Sequence, residues 1–592
     1  MKILLIAINA KYIHSNPAVY SLAAYANHNL TREEKERGQI EIAEYTINHR
    51  TETIIADIYK KKPDVLNFSC YIWNWEYVQE VMTELHKLLP DVPIYLGGPE
   101  VSYTAEEILK QYPYLTGIVI GEGEETFLEL CRAYIGNTEL TKVKGVCGNK
   151  KNPSGEKGEI DFTSQISGEP RGLVNINDIP FFYDDMAVFE HRIVYYESSR
   201  GCPYRCSYCL SSIDKTVRLR NLELVKKELK FFLDLKIPQV KFIDRTFNCN
   251  RDHACEIWQY IHDNDNGITN FHFEISADIL TDRELAILEK MRPGLVQLEI
   301  GVQSTNPETI KEINRVMNVD KLREVVARIH SFENIHQHLD LIAGLPFEDF
   351  VTFQKSFNEV YSMKPQQLQL GFLKVLKGAK MWEKAKEYGI AYTEKPPYEV
   401  LFTNWITYEE ILKLKQIEEM VEMYYNSNQF TYTLAMLEQE FETPFKLYQS
   451  LADYYDEKGY ALQNPARSYR YQILLDFCIE KAPPKEDMYR ELLTFDIYLR
   501  EKMKTRPVFA KLQDSLKEIS REIYQKEEET RELLPAYAEY NSKQLSKMTH
   551  LEEFEYSVWE TGKCEKLSFN QLIVFDYNER NSLNMEARFI LL

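Results

Sequence analysis

Three cysteines, Cys202, Cys206 and Cys209, lie within eight residues in the spacing CxxxCxxC. The other seven are scattered, and ten cysteines in 592 residues are too few for a disulfide framework. Three soft thiolates on one loop are typical ligands of zinc or of an iron–sulfur cluster. Structural zinc takes four ligands, and no histidine or fourth cysteine stands nearby at finger-like spacing. We therefore predict an iron–sulfur cluster with one iron open to substrate, and a structural zinc site is the alternative.

The three cysteines follow the first of six predicted strand–helix units. The predicted strands are Ile193–Ser198, Gln239–Ile243, Phe271–Ser276, Val296–Gly301, His336–Ala343 and Gln367–Phe372. Each is followed by a stretch of helical periodicity, so residues 190–395 are predicted to form a partial (β/α)6 TIM barrel. Because the loops after the strands converge at one end of such a barrel, the cysteines are expected at its functional mouth.

Residues 1–140 show a second strand–helix alternation and predict a doubly wound, Rossmann- or flavodoxin-like α/β domain. Ligands of such sheets bind outside the carboxyl ends of the strands. Small or polar residues lie at or just after the ends of the strands predicted in this domain: Asn9, Ser69, Gly97, Gly98, Gly121, Glu122 and Gly123. They would let a large flat or anionic ligand approach the backbone, although paired glycines are also ordinary turn residues. His14, in the first loop, is either a metal ligand or a surface or capping group.

For the remaining regions the sequence predicts connections and helices rather than a functional site. Residues 141–189 predict a linker with a candidate hairpin between Gly145-Val146 and Glu159-Ile160. Residues 396–592 predict a mainly α-helical C-terminal domain that ends in a strand pair. The predicted helices are Tyr408–Tyr424, Thr443–Tyr455, Ser468–Ile479, Pro484–Arg500 and Val508–Glu529, and the strands are Gln571–Tyr577 and Glu586–Leu591.

The composition excludes several classes of protein. A formal net charge of −20, from 91 acidic and 71 basic residues, makes nucleic acid an unexpected partner. No run of about 18 apolar residues is present, so no membrane span is predicted. The short apolar run at the N-terminus is better explained as a buried strand than as a secretory signal. We therefore predict a cytoplasmic protein.

These features together resemble the radical S-adenosylmethionine (SAM) superfamily. The resemblance rests on Cys202, Cys206 and Cys209, on the aromatic Tyr208 before the third cysteine, and on their place after the first barrel strand. It implies a [4Fe-4S] cluster whose open iron binds SAM, and one-electron cleavage of SAM to methionine and a 5′-deoxyadenosyl radical. It also implies a reductant such as flavodoxin or ferredoxin.

The resemblance implies SAM-binding roles at other strand ends. Besides Tyr208, the residues concerned are Asp244, Ser276, Glu299, Gln303, Ser304 and Arg315. Asp244 occupies the place where the family offers polar groups to the methionine amine, and the others fall in regions that hold the ribose and carboxylate. The segment from Asp340 to Pro346, with Glu348, is similar to the adenine-side turn. An ordinary ion pair between Glu299 and Arg315 at the barrel rim is an equal alternative.

A doubly wound domain before such a barrel resembles the cobalamin-binding branch of the superfamily, in which the corrin lies between the two domains. The resemblance implies that Asn9, Ser69, Gly97, Gly98 and the segment Gly121-Glu122-Gly123 bind cobalamin. No Asp-x-His-x-x-Gly follows the first strand, so no histidine is named as the lower axial ligand. Two alternatives stay open: cobalamin bound without a protein imidazole, and cobalamin not retained.

The leading hypothesis is a cobalamin-dependent radical SAM enzyme that transfers a methyl group to an unactivated carbon of a small or medium organic substrate. Radical cyclisation or rearrangement and tRNA modification are alternatives within the same chemistry. A non-catalytic cobalamin or iron–sulfur sensor is the alternative from another class. Nothing in the helical tail names a substrate.

Overall fold

The N-terminal region forms a sheet of five parallel strands with a sixth, antiparallel strand at its edge. The computed structural model describes residues 1–136, 140–148, 170–513 and 516–592. The strand order β2-β1-β3-β4-β5-β6 is doubly wound, with β1 and β3 adjacent where the order reverses. The elements are β1 Lys2–Asn9, α1 Pro17–Asn29, α2 Arg32–Arg37, β2 Gln39–Thr46, α3 Thr51–Lys61, β3 Val65–Ser69, α4 Trp75–Leu88, β4 Ile94–Gly97, α5 Pro99–Ser102, α6 Ala105–Gln111, β5 Gly117–Val119, α7 Glu124–Tyr134 and β6 Val146–Gly148.

This sheet is buried on both faces, which explains the almost continuous apolar sequence of β1. Helices α3, α4 and α6 cover one face and α1 and α7 cover the other, giving two separate cores. The strand β6 pairs antiparallel with β5, and Glu159-Ile160, the second arm of the predicted hairpin, lies outside the described residues.

The central region forms a six-stranded, all-parallel sheet in the order β14-β13-β12-β11-β10-β7. The prediction of a partial barrel is confirmed. The elements are β7 Val194–Tyr196, β8 Ser199–Arg200, β9 Arg218–Leu219, α8 Leu222–Asp234, β10 Gln239–Phe242, α9 Arg251–Asp263, β11 Asn270–Ile275, α10 Asp282–Leu288, β12 Val296–Gln303, α11 Pro307–Glu312, α12 Val319–His330, β13 His336–Ala343, α13 Phe350–Ser362, β14 Gln367–Phe372, α14 Lys380–Lys384, β15 Ala391–Tyr392 and β16 Val400–Phe402.

A polar residue stands at the N-cap position of each of the barrel helices α8 to α13. Each cap satisfies backbone N–H groups that have no partner inside the helix. The capping residues are Asn221, Asn250, Thr281, Asn306, Asn318 and Asp349.

The C-terminal region is mainly helical, as predicted, but it also holds a three-stranded antiparallel sheet in which the first strand, β17, was not predicted. Within the helix predicted over Val508–Glu529, residues 508–513 are not helical, and Leu516–Thr530 forms a helix. The elements are α15 Tyr408–Met420, α16 Thr431–Leu437, α17 Pro444–Glu457, α18 Arg467–Lys481, α19 Glu486–Arg500, α20 Leu516–Thr530, α21 Ser542–Met548, β17 Thr549–Tyr556, β18 Lys566–Arg580 and β19 Ala587–Leu591, with a π-helical turn over Val421–Asn426. None of the helices in the described part of the chain is long and apolar enough to cross a bilayer.

The C-terminal region shares its core with the barrel. One cluster of buried side chains runs from Tyr183 through the barrel to Phe575. The edge strand β14 is covered from this side: the Asn426 amide donates to the carbonyl of Leu368 and accepts from its N–H, both at 2.9 Å. An exposed strand edge is thereby closed.

The described part of the linker is packed rather than solvated. Val174 and Ile176 are buried, and Arg220 of the barrel donates to the carbonyls of Ile176 and Ile179.

Candidate functional site

The three cysteines lie on the loop between β8 and β9, which pair as a short antiparallel ribbon beyond the end of β7. Gly201 has φ 99°, and a Cβ there would stand 2.0 Å from the carbonyl oxygen of Thr216. Only glycine lets the two sides of the loop approach so closely. All three thiols are free; Cys202 and Cys206 are buried and Cys209 is partly exposed.

The surroundings of the thiols suit a cluster better than a single ion. The Cys202 Sγ lies 3.7 Å from the Thr246 hydroxyl, and the Cys206 Sγ lies 3.9 Å from the Arg315 guanidinium. Burial raises the pKa of the Cys202 thiol, and the two other cysteines add to this. In the described residues, no three His, Cys, Asp or Glu side chains converge closely enough to hold one metal ion. A polynuclear cluster is wider than one ion and takes its thiolates farther apart.

Asp244 holds the start of this loop. It is almost fully buried and accepts hydrogen bonds from the N–H and hydroxyl of Ser198 and from the hydroxyl of Ser199, at 2.6–2.9 Å. Burial raises its pKa to about 6. The carboxyl oxygens of Asp244 are therefore occupied by the cysteine loop, and its predicted contact with SAM stays a prediction.

Arg315, Tyr208 and Gln303 meet beside Cys206. The Arg315 guanidinium donates to the Tyr208 hydroxyl at 3.2 Å and to the carbonyl of Gly301. Gln303 has φ 71° and stands at a bulge between β12 and β13, which turns its side chain toward Arg315. Two buried atoms here, the Gln303 Oε1 and the Arg315 Nε, have no hydrogen-bond partner among the described residues. Unpaired buried polar atoms are costly, and a polar ligand bound in this corner would supply the missing partners.

Glu299 and Ser304, on and directly after β12, contact polar side chains of neighbouring segments, and their predicted SAM-binding roles stay predictions. Glu299 faces the barrel interior, where Lys241 and His272 donate to it at 3.1 and 2.9 Å. Burial alone would raise the pKa of Glu299, but these two partners lower it to about 2. It forms no ion pair with Arg315. Ser304 is fully buried and donates to the carboxyl of Glu348 at 2.6 Å.

Ser276 is held by polar neighbours, and it also lies beside the cysteine loop. Its hydroxyl donates to Asp278 at 2.8 Å, and its backbone is held by Asn248. The residue is buried next to Tyr204 of the cysteine loop.

A cleft separates the carboxyl edge of the first sheet from the cysteine loop. It consists of two cavities of about 690 and 580 Å³ that share lining residues, among them Tyr71, Glu122 and Arg200. The residues predicted for cobalamin all line it: Ser69, Gly97, Gly98, Gly121, Glu122 and Gly123 border the larger cavity and Asn9 borders the smaller. The seven residues predicted for SAM do not border either cavity.

Glycine is required at the wall of the larger cavity. Gly98 has φ 114°, and a Cβ there would stand 2.4 Å from the carbonyl oxygen of Cys70. Gly121 has φ 77°, and a Cβ there would project into open space. Gly98 is thus required for close packing of its loop on Cys70, whereas Gly121 leaves its backbone bare beside the cleft, where a large flat ligand can approach it.

Charged residues that the sequence prediction missed join the two walls of the cleft. Arg200, two residues before Cys202, pairs with Glu124 of the first domain at 3.0 Å and with Glu197 at 2.7 Å. Arg218 on β9 pairs with Glu122. Glu122 therefore pairs with the β8–β9 ribbon and also lines the cavities. The sequence offered one indication, a charged residue two positions before the first cysteine of the motif.

Glu274 and His14 were also not assigned. Glu274 faces the smaller cavity from β11, and burial, with the nearby charge of Glu299, raises its pKa to about 7. His14 faces the same cavity from the first domain, and its Nδ1 lies 2.6 Å from the Tyr195 hydroxyl. Both face a cavity between segments that are far apart in the sequence, and the pattern of a single strand does not reveal such proximity.

Family models match three parts of the chain. Residues 3–131 match the B12 binding domain, 196–360 the Radical SAM superfamily, and 386–575 a protein of unknown function (DUF4080). The uncharacterized methyltransferase PH0819 of Pyrococcus horikoshii is 25% identical over 396 residues, which cover 64% of this chain and 81% of that protein. The cobalamin-dependent radical SAM methyltransferase TokK of Streptomyces tokunonensis is 26% identical over 432 residues, 67% of this chain and 62% of TokK.

Solved structures show the same fold. The cobalamin-dependent S-adenosylmethionine radical enzyme OxsB with aqua-cobalamin bound has a TM-score of 0.57 at 15% identity, covering 84% of this chain and 80% of that chain. The radical S-adenosylmethionine methyltransferase TsrM from Kitasatospora setae, with cobalamin and a [4Fe-4S] cluster bound, has a TM-score of 0.50 at 16% identity, covering 66% and 76%.

A doubly wound domain that faces a three-thiol loop of a partial barrel defines a class of radical enzymes that combine two cofactor domains. The chain carries a B12-binding domain and a radical SAM domain, the combination that cobalamin-binding radical SAM enzymes share. Its cofactors are a [4Fe-4S] cluster, SAM and cobalamin. The described residues fit all three: free thiols on one loop, unpaired polar atoms beside them, and a bare backbone along the cleft.

Proposed function

We propose that this enzyme transfers a methyl group to an unactivated carbon of a small or medium organic substrate. The cleft between the two cofactor domains carries the proposal, because it brings the first sheet and the cysteine loop to one shared space. The methyltransferases named among its relatives support methyl transfer over rearrangement.

The cysteine loop would hold the cluster and bind SAM next to it. Cys202, Cys206 and Cys209 are the proposed ligands, and Gln303 and Arg315, which have unpaired atoms beside Cys206, would contact the SAM bound there. These two residues, with Tyr208 and Ser276, are the proposed SAM-binding set. Asp244 and Ser304 are positioning residues, because their polar atoms hold the loop and the turn that carry this set.

The first domain would hold cobalamin along Ser69, Gly97, Gly98 and the segment from Gly121 to Gly123, with Asn9 at the smaller cavity. When bound, the cluster and SAM supply a carbon radical and cobalamin carries the methyl group. The protein's own task is to orient the substrate and exclude water. Glu274 and Arg245 border the smaller cavity and are the proposed polar contacts of the substrate.

Anaerobically reconstituted protein tests the proposal with the variant Cys206→Ala. The wild type should bind iron and sulfide and should release 5′-deoxyadenosine from SAM with dithionite, because all three thiolates are present. Cys206→Ala should lose both. The matched control Cys564→Ala removes a half-buried thiol of the C-terminal region and should keep both. Zinc without iron in protein purified without oxygen would disprove the cluster.

Mass spectrometry of metabolites separates methyl transfer from the other reactions. Cells with the wild type should contain a compound heavier by one CH2 unit than its precursor in cells with Cys206→Ala. A product that differs by lost hydrogens would instead indicate cyclisation, and a change confined to tRNA would indicate nucleic-acid modification.

A further inference from the structure

Two oppositely charged side chains face the smaller cavity of the cleft without an ion pair. This cavity of about 580 Å³ has the size of a pocket for a small organic molecule. Arg200 on its wall pairs with Glu197 at 2.7 Å, and Arg218 pairs with both Glu122 and Asp214. Within the described part of the chain, two charged lining residues are then left without an ion pair, Arg245 and Glu274.

Glu274 lacks a cation because the nearby cations of the barrel interior bind another carboxylate. It stands beside Glu299 in the register of β11 and β12. Lys241 and His272 both donate to Glu299, at 3.1 and 2.9 Å. Burial and the charge of Glu299 raise the pKa of Glu274 to about 7. A bound cation would stabilise the ionised form of such a carboxyl.

Arg245 supplies the opposite charge from the neighbouring strand. It follows β10, which pairs in parallel with β11, so Arg245 and Glu274 lie at the same end of the sheet. Arg245 is exposed in the cleft. Its charge lowers the pKa of Glu274, but the two side chains form no ion pair. Opposite charges that are close but not joined leave room for a ligand that bridges them.

We infer that the substrate is an α-amino acid, whose ammonium group binds Glu274 and whose carboxylate binds Arg245. The inference deepens the proposed function and rests on it, because it takes the smaller cavity as the substrate space. An α-amino acid carries both charges on one carbon atom and can pair with both side chains at once. The planar guanidinium holds a carboxylate through two parallel hydrogen bonds. A ligand with a single charge would leave the other side chain unpaired.

Calorimetric titration of the reconstituted full-length protein, loaded with cobalamin and SAM, tests the inference without turnover. The standard L-amino acids are titrated one at a time, and at least one should bind. The tightest of them is then compared with two analogues, the amine that lacks its carboxylate and the acid that lacks its ammonium. Each analogue should bind about ten-fold to about a hundred-fold more weakly, because it loses one charge-assisted pair.

Two variants assign the charges through a crossed pattern. Arg245→Gln should weaken binding of the amino acid about ten-fold and leave binding of the amine unchanged, because the amine has no carboxylate to lose. Glu274→Gln should weaken the amino acid similarly and leave binding of the acid unchanged. The controls Arg283→Gln and Glu324→Gln remove the same charges from exposed positions of α10 and α12 and should leave every Kd within about two-fold.

The outcomes separate this inference from the proposed function. No binding of any standard amino acid, or equal weakening of all three ligands by both variants, would overturn the inference. SAM cleavage with dithionite is measured in the same preparation. Protein that cleaves SAM but binds no amino acid would disprove the inference alone. Protein that binds the amino acid with the crossed pattern but cleaves no SAM would confirm the amino-acid site and disprove the proposed function.

Discussion

At the scale of single residues, buried carboxyls near strand ends accept hydrogen bonds from neighbouring segments of the chain. Asp244 accepts three hydrogen bonds from Ser198 and Ser199, and Glu348 accepts from the hydroxyls of Ser304 and Ser356 through one oxygen. Burial raises the pKa of Asp244 to about 6 and that of Glu348 to about 7. Sequence position alone does not distinguish such residues from ligand-binding ones, because both kinds follow barrel strands.

The variant Glu348→Gln should remove a pH dependence of stability. The folded pKa of about 7 lies above the ordinary value of 4.5, so the folded protein retains a proton that the unfolded chain loses between these values. Wild-type stability should therefore fall as pH rises through this window, by at most about 1.4 kcal/mol per pH unit. Melting temperatures from pH 5 to pH 8 should show the variant gaining on the wild type as pH rises.

Glu324→Gln is the control for this measurement, because it makes the same change at an exposed carboxylate of α12. A difference between Glu348→Gln and the wild type that stays constant from pH 5 to pH 8 would contradict the assignment.

At the scale of elements, the C-terminal region completes the barrel sheet at its open edge. The π-helical turn over Val421–Asn426 places the Asn426 amide against both polar groups of the Leu368 backbone. At Leu368, one side chain thus makes the two hydrogen bonds that a neighbouring strand would make. Wide turns of this kind have no sequence signature, and the sequence predicted only a helix that continues to Tyr424.

Substitution of Asn426 should loosen β14 without affecting the cysteines. Asn426→Ala leaves an N–H and a carbonyl of Leu368 without a partner and should cost about 2–4 kcal/mol. Hydrogen exchange of the Leu368 amide should accelerate, whereas iron content should stay unchanged. Asn426→Asp keeps the acceptor for that amide and should exchange more slowly than Asn426→Ala; equal rates in the two variants would refute this role.

The sequence predicted those parts of the fold and site that depend on local pattern. Alternation of apolar and helical segments located all six barrel strands, and spacing located Cys202, Cys206 and Cys209. Contacts between distant segments could not be predicted this way. The strand β17 was missed because its sequence, THLEEFEY, is acidic and carries little apolar alternation. The pairing of Arg200 with Glu124 joins residues 76 positions apart.

At the scale of the whole molecule, acidic side chains of the first domain face basic side chains of the rest. The pairs are Glu44 with Arg192, Glu76 with Lys395, Glu100 with Lys377, Glu122 with Arg218 and Glu124 with Arg200. In each pair the negative charge belongs to the first domain and the positive charge to the rest, so the two walls of the cleft attract each other. Salt screens the exposed pairs strongly and the buried pairs only a little.

A double-mutant cycle on Glu44→Gln and Arg192→Met should reveal this coupling. The two side chains lie 2.5 Å apart and are 7% and 14% exposed, and Glu44 also accepts from Asn9 at 2.9 Å. Unfolding free energies should give a coupling of about 1–3 kcal/mol, because a lone buried charge remains in each single variant. Cobalamin retention should fall in both single variants.

The matched control is the pair Glu76 and Lys395, which joins the same two regions at an exposed position. Glu76→Gln and Lys395→Met should show no measurable coupling, because water and salt screen exposed charges. Coupling of equal size in both cycles would mean that burial does not set the strength of these contacts.

The distribution of buried side chains decides where the chain can be divided. The two cores of the first sheet contain buried residues only up to Val146, whereas one core unites the barrel with the C-terminal region. We expect a fragment of residues 1–148 to fold as a separate piece. A fragment ended at residue 395 would expose the side chains that the later helices cover and should aggregate. Exchange of parts between relatives is therefore feasible before the barrel and not after it.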